Sequence, residues 1–433
     1  MNGPILLAFA LAVVAWAVVL LRELREQRSP WYWYLTGYPV TALRVLLTWR
    51  RVAQLNDLGV TRKPARRLVG DVVVRGAPLR PAVPLVGFPR PLSNGLAVRV
   101  RLRPGQTPEA FVRAADALVH AWRVHSVRVI SPERGFVLVT AVAIDPLTRD
   151  TGPVPEQEAR LLAPVVGVME SGREWVMDFR RVPHWLIVGA TRSGKSTLLA
   201  RLVVQLAPQP VALVAVDCKG GMELGLFGDR LSVLATSRGE AIRMFSGLVA
   251  ELGERMAACR IAGARSVWEL PASRRPVPVV VLVDELAELY LTDGSRDARA
   301  EAEQCSTYLL RLAQLGAALG IHLVIAGQRV GSDLGPGVTA LRAQLGGRIC
   351  HRVHDPGTAE MVLGDLNKDA VLVAQSIGPA EQGVAVTTSE EGGWVRARSH
   401  LTSPETVRGE ASRYRERTPV LSFLSDREGG EEE

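Results

Sequence analysis

WLIVGATRSGKSTLLARLVVQL, residues 185–206, decides the fold class of this chain. Its middle, Gly189 to Ser196, fits G-x-x-x-x-G-K-S in full. An apolar run with strand character precedes it and an apolar-periodic helix follows it, the context this pattern requires. Glycines let backbone N–H groups curl around phosphate oxygens, and the N-terminus of the following helix adds a favourable dipole. In such a loop Lys195 reaches the β- and γ-phosphates and Ser196 ligates Mg²⁺. Gly189, Ala190, Thr191, Arg192, Ser193, Gly194, Lys195, Ser196 and Thr197 are therefore the candidate nucleotide contacts, with ATP and Mg²⁺ as the implied cofactors.

Downstream, PVPVVVLVDELAEL (276–289) carries an apolar strand into Asp284 and Glu285. Asp284 is placed to hold the Mg²⁺ shell, and Glu285 to polarise an attacking water, which favours hydrolysis over simple binding. HLVIAGQR (322–329) ends a further strand on Gln328, a polar group able to touch the γ-phosphate and report its loss. WLIVG, VALVAVD, PVVVLVDE and HLVIAG are short runs rich in Val, Ile and Leu, apolar on both faces and separated by helical stretches. That rhythm predicts an α/β fold: a RecA-like P-loop motor, residues 151–400, built on a parallel sheet.

Ahead of it, residues 91–150 predict a small α+β domain. GLAVRVRLRPG alternates as a strand, TPEAFVRAADALVHAWRV reads as a helix with Thr107 as N-cap and Pro108 at its first position, and SVRVI and GFVLVTAVAI read as two more strands. Residues 51–90 are Arg- and Pro-rich and read as a linker. Residues 401–433 read as a tail, acidic at its end.

The first 50 residues read as a membrane anchor. Pro4 to Leu21 holds 18 residues without a charge, long enough to cross a bilayer as a helix, and RELREQR follows as a stop-transfer pattern that leaves the rest on the cytoplasmic side. Trp31 to Trp49 opens on Trp-Tyr-Trp-Tyr but contains Pro39 and Arg44; it is either the return leg of a hairpin, the reading slightly favoured, or an interfacial helix. From Arg22 to Arg103 there are 16 Lys and Arg against 4 Asp and Glu, an excess of twelve where the whole chain carries +8. Such a segment suits anionic lipid or nucleic acid. The chain has only four lysines, Lys63, Lys195, Lys219 and Lys368, so lysine at 195 and 219 is informative in a sequence that otherwise uses arginine. Four scattered cysteines, none in a close pair, point to a reduced compartment and away from a zinc or disulfide framework.

In this order the stretches resemble the FtsK/SpoIIIE family of DNA translocases, and within it the actinobacterial conjugation proteins of the TraB/TraSA kind. PHWLIVGATRSGKS is similar to the family's first block. VDCKGGMEL, with Asp217, Lys219 and Glu223, is similar to its D-x-K-x-x-E-L signature. ELGERM, the strand ending in Asp284, AGQR, GGRICHRV and TAEMVLG follow. The resemblance implies a homo-oligomer, a hexameric ring around double-stranded DNA, with an arginine completing the neighbouring subunit's site. Arg348 is the candidate, Arg352 the reserve. Contact with DNA is expected mostly at phosphate, with the loop after Gln328 and the segment around Arg342 as candidates. The short membrane part and the roughly 30 residues after His400, too few for a winged-helix domain, are departures. They point to conjugative plasmid or integrative-element transfer, with loading supplied by a partner protein. The alternatives are a coupling protein delivering relaxase-bound single-stranded DNA to a secretion channel, and a chromosome-segregation pump. A non-enzymatic scaffold with a vestigial loop is disfavoured by intact Lys195, Ser196, Asp284 and Glu285.

Overall fold

A computed structural model describes residues 30–60, 82–148, 160–421 (except 365, 367, 390 and 391) and 423. The expected span at 4–21, residues 61–81 of the expected linker and the acidic end of the tail lie outside the described residues. The chain divides into two compact units, Met1–Pro146 and Leu147–Glu433.

Among the described residues the first unit begins with a helical turn, Pro30–Tyr32, and a π-helical turn, Trp33–Gly37, that lead into helix α1, Tyr38–Leu55. Gly37 is required there, because a Cβ would sit 2.2 Å from the Trp33 ring. The unit's sheet contains β1 (Leu85–Val86), β2 (Arg90–Pro91), β3 (Gly95–Arg101), β4 (Ser126–Ile130) and β5 (Phe136–Val142), all paired antiparallel in the order β1-β3-β5-β4 with β2 on β3. Between β3 and β4 lie α2 (Pro108–Arg113) and α3 (Ala115–Trp122). The single helix expected from Thr107 onward is thus broken at Ala114, whose φ/ψ of −84/−1 is the tight end of a turn. Val98, Val100, Val137 and Val139 alternate inward along β3 and β5 and meet Phe111, Leu118 and Trp122.

The same core takes one face of α1: Ala42, Val45, Trp49, Val52 and Ala53 are buried in it, with Trp49 and Trp122 ring centroids 6.4 Å apart. Arg44 donates to the Trp122 carbonyl and Trp49 to that of Pro84. This packing by one face on the unit's own sheet, with Arg44 tied to the last residue of α3, gives no support to the hairpin reading of residues 31–49. No helix among the described residues is long and apolar enough to do so. The opposite face of this segment is exposed and apolar at Trp31, Leu35, Leu43 and Leu47.

The second unit is built on one ten-stranded sheet. In chain order its elements are β6 (Val165–Met169), β7 (Glu174–Val176), β8 (His184–Val188), α4 (Lys195–Leu206), β9 (Ala212–Val216), β10 (Val233–Ala235), α5 (Arg238–Ile261), β11 (Val279–Val283), α6 (Arg296–Leu319), β12 (Ile321–Gly327), α7 (Val338–Gln344), β13 (Gly347–His351), α8 (Pro356–Leu363), α9 (Lys368–Ser376), β14 (Val384–Thr388), β15 (Trp394–Ser399) and α10 (Pro404–Arg413). The order across the sheet is β10-β9-β11-β12-β8-β13-β14-β15-β6-β7. The first six strands are parallel and the last four extend the sheet antiparallel. Alternation divides the core. Leu186, Val188, Val281 and Val283 face the side where Leu248 and Leu252 of α5 and Leu309 and Leu312 of α6 pack. Ile187, Val280 and Leu282 face Leu198, Leu199 and Leu202 of α4. Helix α10 adds Val407 to that second core, so residues 404–413 are folded rather than part of a solvated tail.

Candidate nucleotide site

Asp217, Asp284, Gln328 and the loop after β8 all leave the sheet at the carboxyl ends of parallel strands, where crossovers on both faces open a crevice. Strand β8 lies between β12 and β13, and its register continues into the loop: the Gly189 N–H donates to the Gly327 carbonyl at 3.3 Å and Ala190 to that of Arg352 at 2.8 Å. The loop then turns tightly. Gly194 has φ +119, and a Cβ on it would lie 2.6 Å from the Gly383 Cα; the Gly383 N–H donates to the Ser193 carbonyl at 2.9 Å. Beneath it His351 is fully buried, with Nδ1 3.0 Å from the Val384 carbonyl, and burial pushes its pKa down to about 4, so the ring is neutral. Helix α4 starts at Lys195 with its free N–H groups facing the loop's interior.

A cavity of about 360 Å³ is lined by residues 190–197 together with Lys219, Glu223, Asp284, Glu285, Gln328 and Gln382. It therefore joins the two segments that sequence reasoning assigned to one pocket. Asp284 and Glu285 are buried, 5% and 8% exposed. Burial raises the Asp284 pKa, and Lys219 opposes that rise. One Glu285 oxygen accepts the Gln328 N–H at 3.1 Å, and the Thr191 hydroxyl lies 3.4 Å from the Gln328 side-chain oxygen. Gln328 is thus held between the base candidate and the phosphate loop. Burial lowers the Lys195 pKa while Glu285 and Asp284 offset part of the effect; its ammonium donates to the Gly189 carbonyl.

The signature loop has its own logic. Asp217, 1% exposed, accepts the N–H groups of Lys219 (3.2 Å), Glu223 (2.8 Å) and Leu224 (3.0 Å), so a single carboxylate fixes the loop that follows β9. Lys219 Nζ then stands 3.6 Å from both Asp284 and Glu285.

Of the two candidate arginines, Arg348 lies on β13, 8% exposed and outside the lining of its own chain's cavity, and its guanidinium donates to the Arg342 carbonyl at 2.7 Å, which braces α7. The reserve, Arg352, is half-buried and donates to the Thr191 carbonyl of its own loop at 3.3 Å. Arg342, a candidate DNA contact, donates to the Val330 carbonyl and so ties the loop after Gln328 to α7. Gln382, Gly383 and His351 were missed. Gln382 and Gly383 come from the loop before β14, on the antiparallel side of the sheet, where no local pattern marks them, and His351 ends β13, inside GGRICHRV. ELGERM gains a structural role: Arg255 pairs with Glu251 at 2.7 Å and donates to the carbonyls of Leu319 and Val277, tying α5 to the end of α6 and the start of β11.

Residues 20–143 match the actinomycete conjugal transfer protein N-terminal domain, and residues 149–271 and 268–332 match the FtsK/SpoIIIE family. The transfer protein TraSA of Streptomyces ambofaciens is 39% identical over 396 residues, 88% of this chain and 94% of that one. A sporulation regulatory protein of Streptomyces azureus is 47% identical over 57% of this chain and 80% of its own length. Among solved structures, the pCW3 conjugation coupling protein TcpA, in a monomer form with ATPγS, shares the fold at a TM-score of 0.52 and 22% identity, over 83% of this chain and 98% of that one. A loop that only glycine can close, opening a helix over two buried carboxylates, agrees with these matches: the chain is a P-loop ATPase and belongs to the FtsK/SpoIIIE family, among its conjugal transfer proteins.

Proposed function

We propose that this ATPase moves double-stranded DNA during conjugative transfer, working as a ring of identical subunits seated on the membrane. The convergence of Ala190–Thr197 with Asp284, Glu285 and Gln328 on one cavity carries the ATP-driven part of this reading. Its residues fit a magnesium-bound triphosphate. Gly194 and Gly189 let the loop pack against Gly383, Ser193 and His351 where a Cβ would clash, and the donor set of one hydroxyl and one carboxylate, Ser196 and Asp284, suits a hard octahedral cation that keeps most of its waters. Mg²⁺ there would neutralise charge on the β- and γ-phosphates. Lys195 and the N–H groups opening α4 bind the phosphates, Glu285 orients water and takes its proton, and Gln328, in contact with both Glu285 and Thr191, senses whether the γ-phosphate is present.

Membrane seating rests on the exposed stripe of Trp31 (64% exposed), Leu35 (57%), Leu43 (57%) and Leu47 (73%), one face of the segment that follows the uncharged run 4–21 and its basic flank. Aromatic and leucine side chains on an amphipathic helix suit the headgroup boundary. Replacing Leu43 and Leu47 with glutamate is expected to reduce co-sedimentation with anionic vesicles; unchanged binding by that variant would remove this support.

The test of the whole reading is the ATPase rate of the full chain with linear duplex against single-stranded DNA. A several-fold rise with duplex is expected. Stimulation by single strands alone would favour the relaxase-coupling alternative, and stimulation by neither would sink the DNA-motor reading.

A further inference from the structure

Lys219 is one of four lysines in an arginine-rich chain, and its placement is over-determined. Asp217 fixes the loop through three backbone amides. Directly after Lys219 two glycines, Gly220 and Gly221, take φ of +78 and +74, a double left-handed step that reverses the chain at once. The result puts one ammonium 3.6 Å from each of two adjacent, buried carboxylates. Glu223, on the same loop, lines the same wall. Three carboxyl groups thus share this cavity with two ammonium groups, those of Lys195 and Lys219.

A cation in that position conflicts with the metal. Asp284 would serve the magnesium shell, and a divalent ion and an ammonium within about 4 Å of one carboxylate repel each other strongly in a partly buried site. The two cations therefore compete for Asp284. Because Lys219 touches Glu285 as closely as Asp284, its retreat also uncovers the base. We propose that Lys219 is a displaceable counter-ion: its single charge is shared between Asp284 and Glu285 and is expelled when Mg²⁺ enters with the nucleotide, which frees Glu285 to accept a proton from water. Lys219 is then a positioning residue, and the loop from Asp217 to Leu224 changes with metal loading.

The inference rests on the nucleotide reading of the cavity, and binding separates the two. The full chain and its Lys219→Met and Lys219→Arg forms are titrated with Mg²⁺ while binding of a fluorescent, non-hydrolysable ATP analogue is followed. Loss of the competing charge in Lys219→Met is expected to lower the Mg²⁺ needed for half-maximal binding by about fivefold, the scale of a half-exposed ion pair. Lys219→Arg keeps the charge and is expected to titrate like the parent. An unchanged Mg²⁺ requirement in Lys219→Met overturns the proposal, and a higher one overturns it in favour of direct phosphate binding by Lys219. Should Lys219→Met melt early, Lys219→Gln is titrated to the same two outcomes. If the parent itself binds no analogue, the nucleotide reading fails and this inference fails with it.

Discussion

Lys195 and Glu285 face the same cavity with separable duties, and substitution should separate them. Lys195→Ala removes the charge that meets the phosphates, and charge-assisted bonds of this kind are worth about 1.5–3 kcal/mol. ATP affinity is expected to fall roughly tenfold to a hundredfold, as read by analogue binding. Glu285→Gln preserves shape and removes the proton acceptor. It is expected to keep binding within about twofold and to cut turnover by roughly 10²–10⁴; near-normal turnover in Glu285→Gln would move the base elsewhere. At this scale the sequence was most informative. A glycine at φ +119 packed on another glycine's Cα, and a lysine opening a helix, are demands of geometry that few residues meet, so they leave a local pattern. Arg348 shows the opposite case. Its hydrogen bond to the Arg342 carbonyl depends on where the fold brings α7, and no local pattern encodes that.

At the scale of elements, strands buried on both faces announced themselves: β8, β9, β11 and β12 are the runs WLIVG, VALVAVD, PVVVLVDE and HLVIAG. The antiparallel extension did not. In β15 buried and half-buried residues alternate and Arg396 and Arg398 occupy alternate positions, so it lacks the continuous apolar run that betrays a central strand. Gln382 and Gly383 enter the site from this less legible edge. Residues 31–49 read as either a span or an interfacial helix because both faces of α1 carry apolar side chains, and only the fold shows that one of those faces packs on a sheet. The joint between α5, α6 and β11 is held by Arg255, 3% exposed, whose guanidinium satisfies Glu251 and two carbonyls at once. Arg255→Ala leaves those acceptors without a donor and is expected to cost about 3 kcal/mol. Denaturant unfolding reads this directly, and a loss below about 1 kcal/mol would show that water replaces the guanidinium.

For the molecule as a whole, three neutral histidines set an acid limit. Burial pushes His184 to about 4, His322 to about 3 and His351 to about 4, from an ordinary value of 6.5. Between pH 6.5 and about 4 the unfolded chain binds protons at these sites and the native chain does not, so stability rises with pH and is lost as pH falls. Each contributes at most about 1.4 kcal/mol per pH unit. The melting temperature is expected to drop steadily from pH 7 to 5, and a flat profile would mean that these rings are accessible to protons. Such a limit leaves the motor at full stability near neutrality.

Movement along duplex DNA is the claim on which the rest turns, and displacement of a triplex-forming oligonucleotide from linear duplex measures it. The full chain with ATP and Mg²⁺ is expected to strip the third strand, and Glu285→Gln is expected to leave it in place. A chain that hydrolyses ATP and binds the duplex yet never displaces the oligonucleotide would contradict the reading of this protein as a DNA translocase.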